Sequence, residues 1–300
     1  MSTGYAIPRE RNWGRWGAED ERGAANLLNE ERVRTACGRV RSGRVISLAL
    51  RLSPRDVPVL PGRPSPQHFM RRDGGDYAAG LVRRGGFQTT DDMVLLPTHA
   101  ATHIDALAHV ADEDRLYNGH PLSGVRSNGA ARCGIDKLPA LVGPGVLLDL
   151  CALHGAERLQ PGHVITPDEL EACERQQEAP VEPGSIVLLR TGWLNTFRNE
   201  GAAAFFESEP GIGVAAAGWL AERDVVAVGA DNYAVEVIPT EDGRPGPVHR
   251  ALVRDCGMYL IECLALDELA EAEAHTFLFV AAPLPIKGGV GSPLNPLAII

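Results

Sequence analysis

The sequence predicts one α/β domain over residues 1–300, with an N-terminal extension at about 1–45. Five short apolar runs, each of strand length and rich in branched side chains, recur through the second half of the chain. Segments of helical pattern separate them, and the runs at 185 and 224 flank one such segment as a βαβ unit would. No internal repeat, low-complexity tract or linker-like boundary interrupts the series. With 44% hydrophobic and 23% charged residues, the chain has the composition of a globular protein with a sizeable core, not of a disordered one.

Taken in order, an amphipathic stretch from about Leu27 to Val40 predicts a helix, and VISLALRL (45–52) predicts a strand. Residues 53–92 are rich in Pro, Gly and Arg and predict a long irregular segment, a kind of segment that is often functional. The buried-strand candidates follow: GVLLDL (145–150), SIVLLR (185–190), DVVAVGAD (224–231), GMYLIECLAL (257–266) and HTFLFVAAPL (275–284). Helical candidates lie at 167–177, 213–224 and 266–274.

The bulk numbers narrow the function. A formal charge of −10 opposes binding to phosphate backbones, so no nucleic-acid partner is expected. No apolar run reaches the roughly 18 residues needed to span a bilayer, and no membrane partner is expected. The first residues carry no apolar signal core, which together with the rest reads as a cytoplasmic protein. Six cysteines stand at 37, 133, 151, 173, 256 and 263 without a CxxC pair, and are read as reduced structural thiols.

The chemistry concentrates in LLPTHAATHIDALAHV (95–110), which holds His99, His103, Asp105 and His109, although the chain has only nine histidines. On a helix, Asp105 would lie about 200° round from His103, because each residue turns by roughly 100°. In extended chain the two side chains share a face. A turn at Ala100–Ala101 then folds His99 back beside them. Two imidazoles and a carboxylate suit a divalent ion such as zinc or manganese, with a coordination position left open for water. His109 is either another ligand or a nearby general acid or base. Candidates for further ligands sit elsewhere. His249 lies in GRPGPVHRALV. Glu262 lies inside an apolar run, where a carboxylate either has a partner or faces solvent from an edge strand.

The cluster resembles the H-x-G-T-H-x-D-x-x-x-H signature of the cyclase-like metal-dependent hydrolases. The resemblance covers most of the chain, through GVLLDL, VLLRTGW, the 210–232 block, the His249 and Glu262 regions and the 282–299 block. It departs from the signature at Ala101, where the family has glycine, and at Leu107, where many short members have proline. The WGRWGAEDERGAANLL opening resembles a longer subfamily. The resemblance implies a swivelling β/β/α fold, a barrel-like mixed sheet with outer helices, and a homodimer or homotetramer. It implies His99, His103 and Asp105 as ligands of a first ion, and Asp105 bridging to a second ion held by His249 and Glu262 in two-metal members. It implies His109 as the catalytic histidine. The expected activity is hydrolysis of a small amide or lactone (an N-formyl arylamine, cyclic amide or lactone) with one or two zinc or manganese ions. The competing expectations are a lyase or cyclase acting through an enolate, and a non-catalytic metal- or ligand-binding protein.

Other features point elsewhere. GGVGS (288–292) is read as a loop before a terminal strand, since no phosphate-binding motif surrounds it. No GxSxG supports a serine nucleophile. Arg71, Arg72, Arg83 and Arg84 are read as solvated, or as one ligand for a substrate carboxylate. Trp13 and Trp16 either pack or cover an aromatic pocket. Asp231 and Glu236 either orient ligands or sit in a solvated loop.

Overall fold

The computed structural model describes residues 9–82 and 84–300. In chain order its strands are β1 (Val45–Ser47), β2 (Gln67–Arg72), β3 (Asp91–Leu95), β4 (His103–Asp105), β5 (Val125–Arg126), β6 (Gly129–Ala130), β7 (Leu141–Asp149) and β8 (Val164–Ile165). There follow β9 (Ile186–Arg190), β10 (Gly211–Ile212), β11 (Ala227–Ala230), β12 (Tyr259–Glu262), β13 (Thr276–Ala281), β14 (Gly291–Pro293) and β15 (Leu297–Ile299). Nine of them form one curled mixed sheet in the order β1-β15-β13-β7-β9-β11-β12-β4-β14.

The middle of that sheet is parallel: β7, β9, β11 and β12 pair side by side in register. Parallel strands are covered on both faces and so read as continuous apolar runs. Leu147, Leu148, Val187, Leu188, Val228 and Leu260 are accordingly all buried. Helices Pro167–Gln176 and Val214–Glu222 occur where the pattern placed them. The first starts on a capping box in which Thr166 and Glu169 satisfy each other's backbone N–H. Gly145 sits opposite Phe277 in the β7–β13 pair, and a side chain there would strike the Phe277 ring.

Three expectations need correction. The stretch 45–52 contributes only three strand residues; at Leu48 the chain leaves the β1–β15 ladder, its N–H donating to the Pro296 carbonyl. The segment 53–92 is not irregular throughout. It contains the β2–β3 hairpin, its turn of helix Gly74–Ala78 and a register shift between Met70 and Arg72. Every residue of β3 is exposed, so the hairpin has no inward apolar face and leaves no alternating pattern to read. The 257–266 run ends as a strand at Glu262, because Cys263 takes a left-handed backbone conformation at φ 54°.

Residues 12–13 dock on the C-terminal end of the chain's π-helix, Arg250–Asp255. The Asn12 side chain donates to the Cys256 carbonyl and Trp13 Nε1 to the Arg254 carbonyl. Trp13 also lies under the Arg254 guanidinium and against Gly119, so it has a packing role. Trp16 is overlain by Arg15. All six cysteines are free, five of them buried. Among the described residues, no helix is long and apolar enough to cross a membrane.

Candidate metal centre

β4 sits between β12 and β14 at one end of the sheet. His103 and Asp105, two residues apart on this strand, project from the same face. Across the ladder Glu262 stands directly opposite His103, and Gly291 directly opposite Asp105. Register alone thus brings Glu262 to the imidazole, with His103 Nε2 3.1 Å from Glu262 Oε2. The edge-strand alternative for Glu262 fails, since β12 is an interior strand and the carboxylate is buried. His99 returns over β4 through the turn at Ala100–Ala101, and its Nδ1 lies 2.8 Å from Asp105 Oδ1. Ala101 takes φ 55°, the left-handed conformation that explains glycine at the matching signature position.

Two triads emerge. His99, His103 and Asp105 present donor atoms within 4.8 Å of one another, and so do Asp105, His249 and Glu262. Asp105 belongs to both. His249 Nε2 is 3.8 Å from Asp105 Oδ2 and 3.4 Å from Glu262 Oε1. His109 Nε2 lies 3.9 Å from Asp105 Oδ2, its ring tilted over His99 at 4.2 Å between centroids. It belongs to neither triad and, with 29% of its side chain exposed, marks the open side of the cluster.

The residues fit a metal on two grounds. First, His99 Nε2 and Asp105 Oδ2 are buried without a hydrogen-bond partner, an expensive arrangement for atoms with no further ligand. Second, the charges match. Asp105 is held well below the usual carboxylate range, because His109, His99 and His103 together outweigh its burial. Glu262 is also held down, by His103 and His249 against burial and the Asp105 charge. Burial opposes protonation of His249, but Glu236 and Glu262 raise its pKa well above the ordinary imidazole value. His103 is raised in the same way by Glu262. The buried carboxylates Asp105 and Glu262 thus favour positive charge at this centre, which a divalent cation supplies. His109 goes the other way. Asp105 raises it, but burial, His99 and His249 leave it below the ordinary value, neutral and ready to accept a proton.

The surrounding shell is built in. Glu236, buried, accepts from His249 Nδ1 at 2.6 Å and from Val248 N at 3.0 Å, which fixes the ring with Nε2 toward the cluster. Asp231 holds the turn after β9 instead of orienting a ligand. It accepts from Thr191 N, Thr191 Oγ1 and Gly192 N, and burial pushes its pKa up to about 6. Arg71 and Arg72 hold the hairpin through Asp91 and Thr89, while Arg83 lies outside the described residues.

Sequence reasoning missed three supports. Thr102 donates to the Cys263 carbonyl at 2.6 Å and accepts from Leu50 N, tying the ligand turn to the end of β12. Gly291 leaves room for the His99 ring, which a side chain would meet at 2.7 Å. Arg63, from the segment read as irregular, donates to the His99 carbonyl and to the Tyr233 hydroxyl. Only Thr102 left a signal, as the Thr of the His-Thr-His-Asp block.

The Cyclase family model matches residues 46–237, nearly two thirds of the chain. The chain belongs to the cyclase family. It is 27% identical to the isatin hydrolase of Roseibium aggregatum over 221 residues, which cover 70% of this chain and 74% of that protein. It is 25% identical to the kynurenine formamidase of Geobacillus thermodenitrificans, over 68% of this chain and 77% of that one. A crystal structure described as a novel cyclase superposes with a TM-score of 0.90 at 37% identity, covering 96% of this chain and 99% of the other. Isatin hydrolase A from Labrenzia aggregata, bound to benzyl benzoate, superposes at 0.63 with 26% identity, over 88% and 95% of the two chains. The barrel-like mixed sheet is thus the cyclase fold.

Proposed function

We propose that this cyclase-family chain is a metal-dependent hydrolase of a small amide or lactone, with N-formyl arylamines, cyclic amides and lactones as its substrate classes. The observation that carries the reading is Asp105, shared by two ligand triads, whose Oδ2 is buried without a hydrogen-bond partner. Relatives named isatin hydrolase and kynurenine formamidase support the choice of amide substrates.

His99, His103 and Asp105 would hold one divalent ion, zinc or manganese, and Asp105, His249 and Glu262 a second. Such an ion, when bound, polarises the scissile carbonyl and activates water at neutral pH. The chain's own groups do the rest. Glu236 keeps the His249 proton on Nδ1, so that Nε2 faces the centre. His109 stands at the open side with a depressed pKa, takes a proton during attack and returns it to the leaving amine or alkoxide.

The test is turnover of a panel of formyl arylamides, cyclic amides and lactones, before and after chelation and re-addition of zinc or manganese. His109→Ala is expected to keep its metal and lose about 10²–10⁴-fold in turnover. Full turnover in that variant would remove His109 from the mechanism. A product without labelled oxygen from solvent water would replace the hydrolase by a lyase.

A further inference from the structure

A second group of metal-ligating side chains lies between β7 and β9 and shares no residue with the Asp105 centre. His154 Nε2 and His163 Nε2 converge on one oxygen, Glu169 Oε1, at 2.7 and 2.8 Å. The two rings meet edge to face at 5.3 Å between centroids, so their nitrogens point at a common spot instead of stacking. The three donor atoms lie within 4.8 Å of one another.

Each donor is held by its backbone. Glu169 is the third residue of helix Pro167–Gln176, and its other oxygen, Oε2, accepts from Thr166 N and Thr166 Oγ1 at 2.8 Å each. Oε1 is thereby aimed away from the helix toward the two rings. His163 is pinned on both sides, its N–H to the Gln160 carbonyl and its carbonyl to Gly211 N. His154 is the last residue of helix Leu150–His154, which Gly155 closes in a left-handed cap. The capping box alone explains Thr166 and Glu169; it does not explain why two imidazoles from separate segments meet on the same free oxygen.

We propose that His154, His163 and Glu169 form a zinc site distinct from the Asp105 centre. Two imidazoles and a carboxylate are a zinc donor set, and three protein ligands leave a fourth position for water. Partial exposure, 37% for His154 and 28% for His163, gives the ion and that water access from solvent. Zinc bonds of about 2.0–2.2 Å place tetrahedral donors about 3.3–3.6 Å apart, so the present hydrogen-bond distances must open by roughly 0.5–0.9 Å. The His154 ring, the most exposed of the three, makes that movement. Both rings then carry their proton on Nδ1 and present Nε2. Bound zinc joins the helix ending at His154, the turn at His163 and the helix beginning at Thr166 into one unit.

The experiment is zinc titration of the full chain, stripped by chelator, against a chromophoric competitor. It is run on the wild type, on His154→Ala with His163→Ala combined, and on Asp105→Asn. The wild type is expected to bind one equivalent more than the double variant, and Asp105→Asn is expected to keep that equivalent. Saturating zinc should raise the melting temperature of Asp105→Asn, and adding His154→Ala and His163→Ala to that variant should remove the rise. The double variant, loaded at the centre, should turn over substrate as the wild type does. Equal zinc stoichiometry in the wild type and the double variant would overturn the proposal and leave a hydrogen-bonded trio only. That comparison does not depend on the folding of Asp105→Asn or on any substrate.

Discussion

Replacing Glu236 isolates the part of the centre that the chain itself pre-builds. Glu236 accepts two hydrogen bonds, from His249 Nδ1 at 2.6 Å and from Val248 N at 3.0 Å, and both of its partners lie on the short helix that delivers His249. In Glu236→Ala both bonds vanish. The Val248 N–H is left buried without an acceptor, at a cost of about 1–3 kcal/mol, and the His249 ring loses the group that sets its tautomer. Losing a partner that orients a metal-bound histidine typically weakens metal affinity by about 10–100-fold. That corresponds to roughly 1.4–2.7 kcal/mol, at about 1.4 kcal/mol per factor of ten. Glu236→Gln keeps one amide oxygen as acceptor and gives up the charge, so it should fall between the wild type and Ala. The assay is competitive metal titration of the three proteins, read together with thermal unfolding of the metal-free forms. With two ions bound as proposed, the loss should fall on the one assigned to His249 and spare the one assigned to His99 and His103. Equal affinities across the series would refute the idea that Glu236 positions His249.

Gly291→Ala places a methyl group 2.7 Å from His99 Cε1 and 2.8 Å from Nε2, closer than real contacts allow. The buried ring must move, and metal affinity at His99 should fall by about tenfold or more, as measured by the same titration. Metal binding should release protons. His103 and His249 are both held above the ordinary imidazole value in the metal-free protein. Their protons must leave before the rings can ligate, so affinity rises with pH until both rings are neutral and falls as pH drops. Calorimetric titration in two buffers of different ionisation enthalpy should show net proton release on metal binding, and none released would remove the charge argument. Ala101→Gly should be close to neutral. The left-handed backbone costs alanine about 1–2 kcal/mol, against roughly 0.5–1 kcal/mol of glycine entropy and about 0.8 kcal/mol for the buried methyl. A urea midpoint showing a loss above ~2 kcal/mol would refute that balance.

What could be read in the sequence, and what could not, follows from the range of the forces involved. The parallel strands announced themselves because β7, β9 and β11 are buried on both faces and so are continuously apolar. The His103–Asp105 pair was legible because a strand alternates and a helix does not, a constraint that acts within three residues. Glu262 was half-legible. Its apolar neighbours showed that the carboxylate needed a reason, but the reason, His103 directly across the ladder, is a matter of register. Register joins residues 159 positions apart, and no local pattern encodes it. Gly291 is the extreme case. In GGVGS it reads as one more loop glycine, and its importance lies wholly in the His99 ring seated against it. The β2–β3 hairpin was missed for the opposite reason. Its strands are exposed, so the hydrophobic patterning that reveals other elements was never required of them. The ligands nearest in sequence were therefore readable from local geometry, whereas the groups that hold them in place are visible only where strands from distant parts of the chain meet. Glu236 belongs to both kinds: a carboxylate just beyond a strand-like run is visible in the sequence, and only the fold joins it to His249.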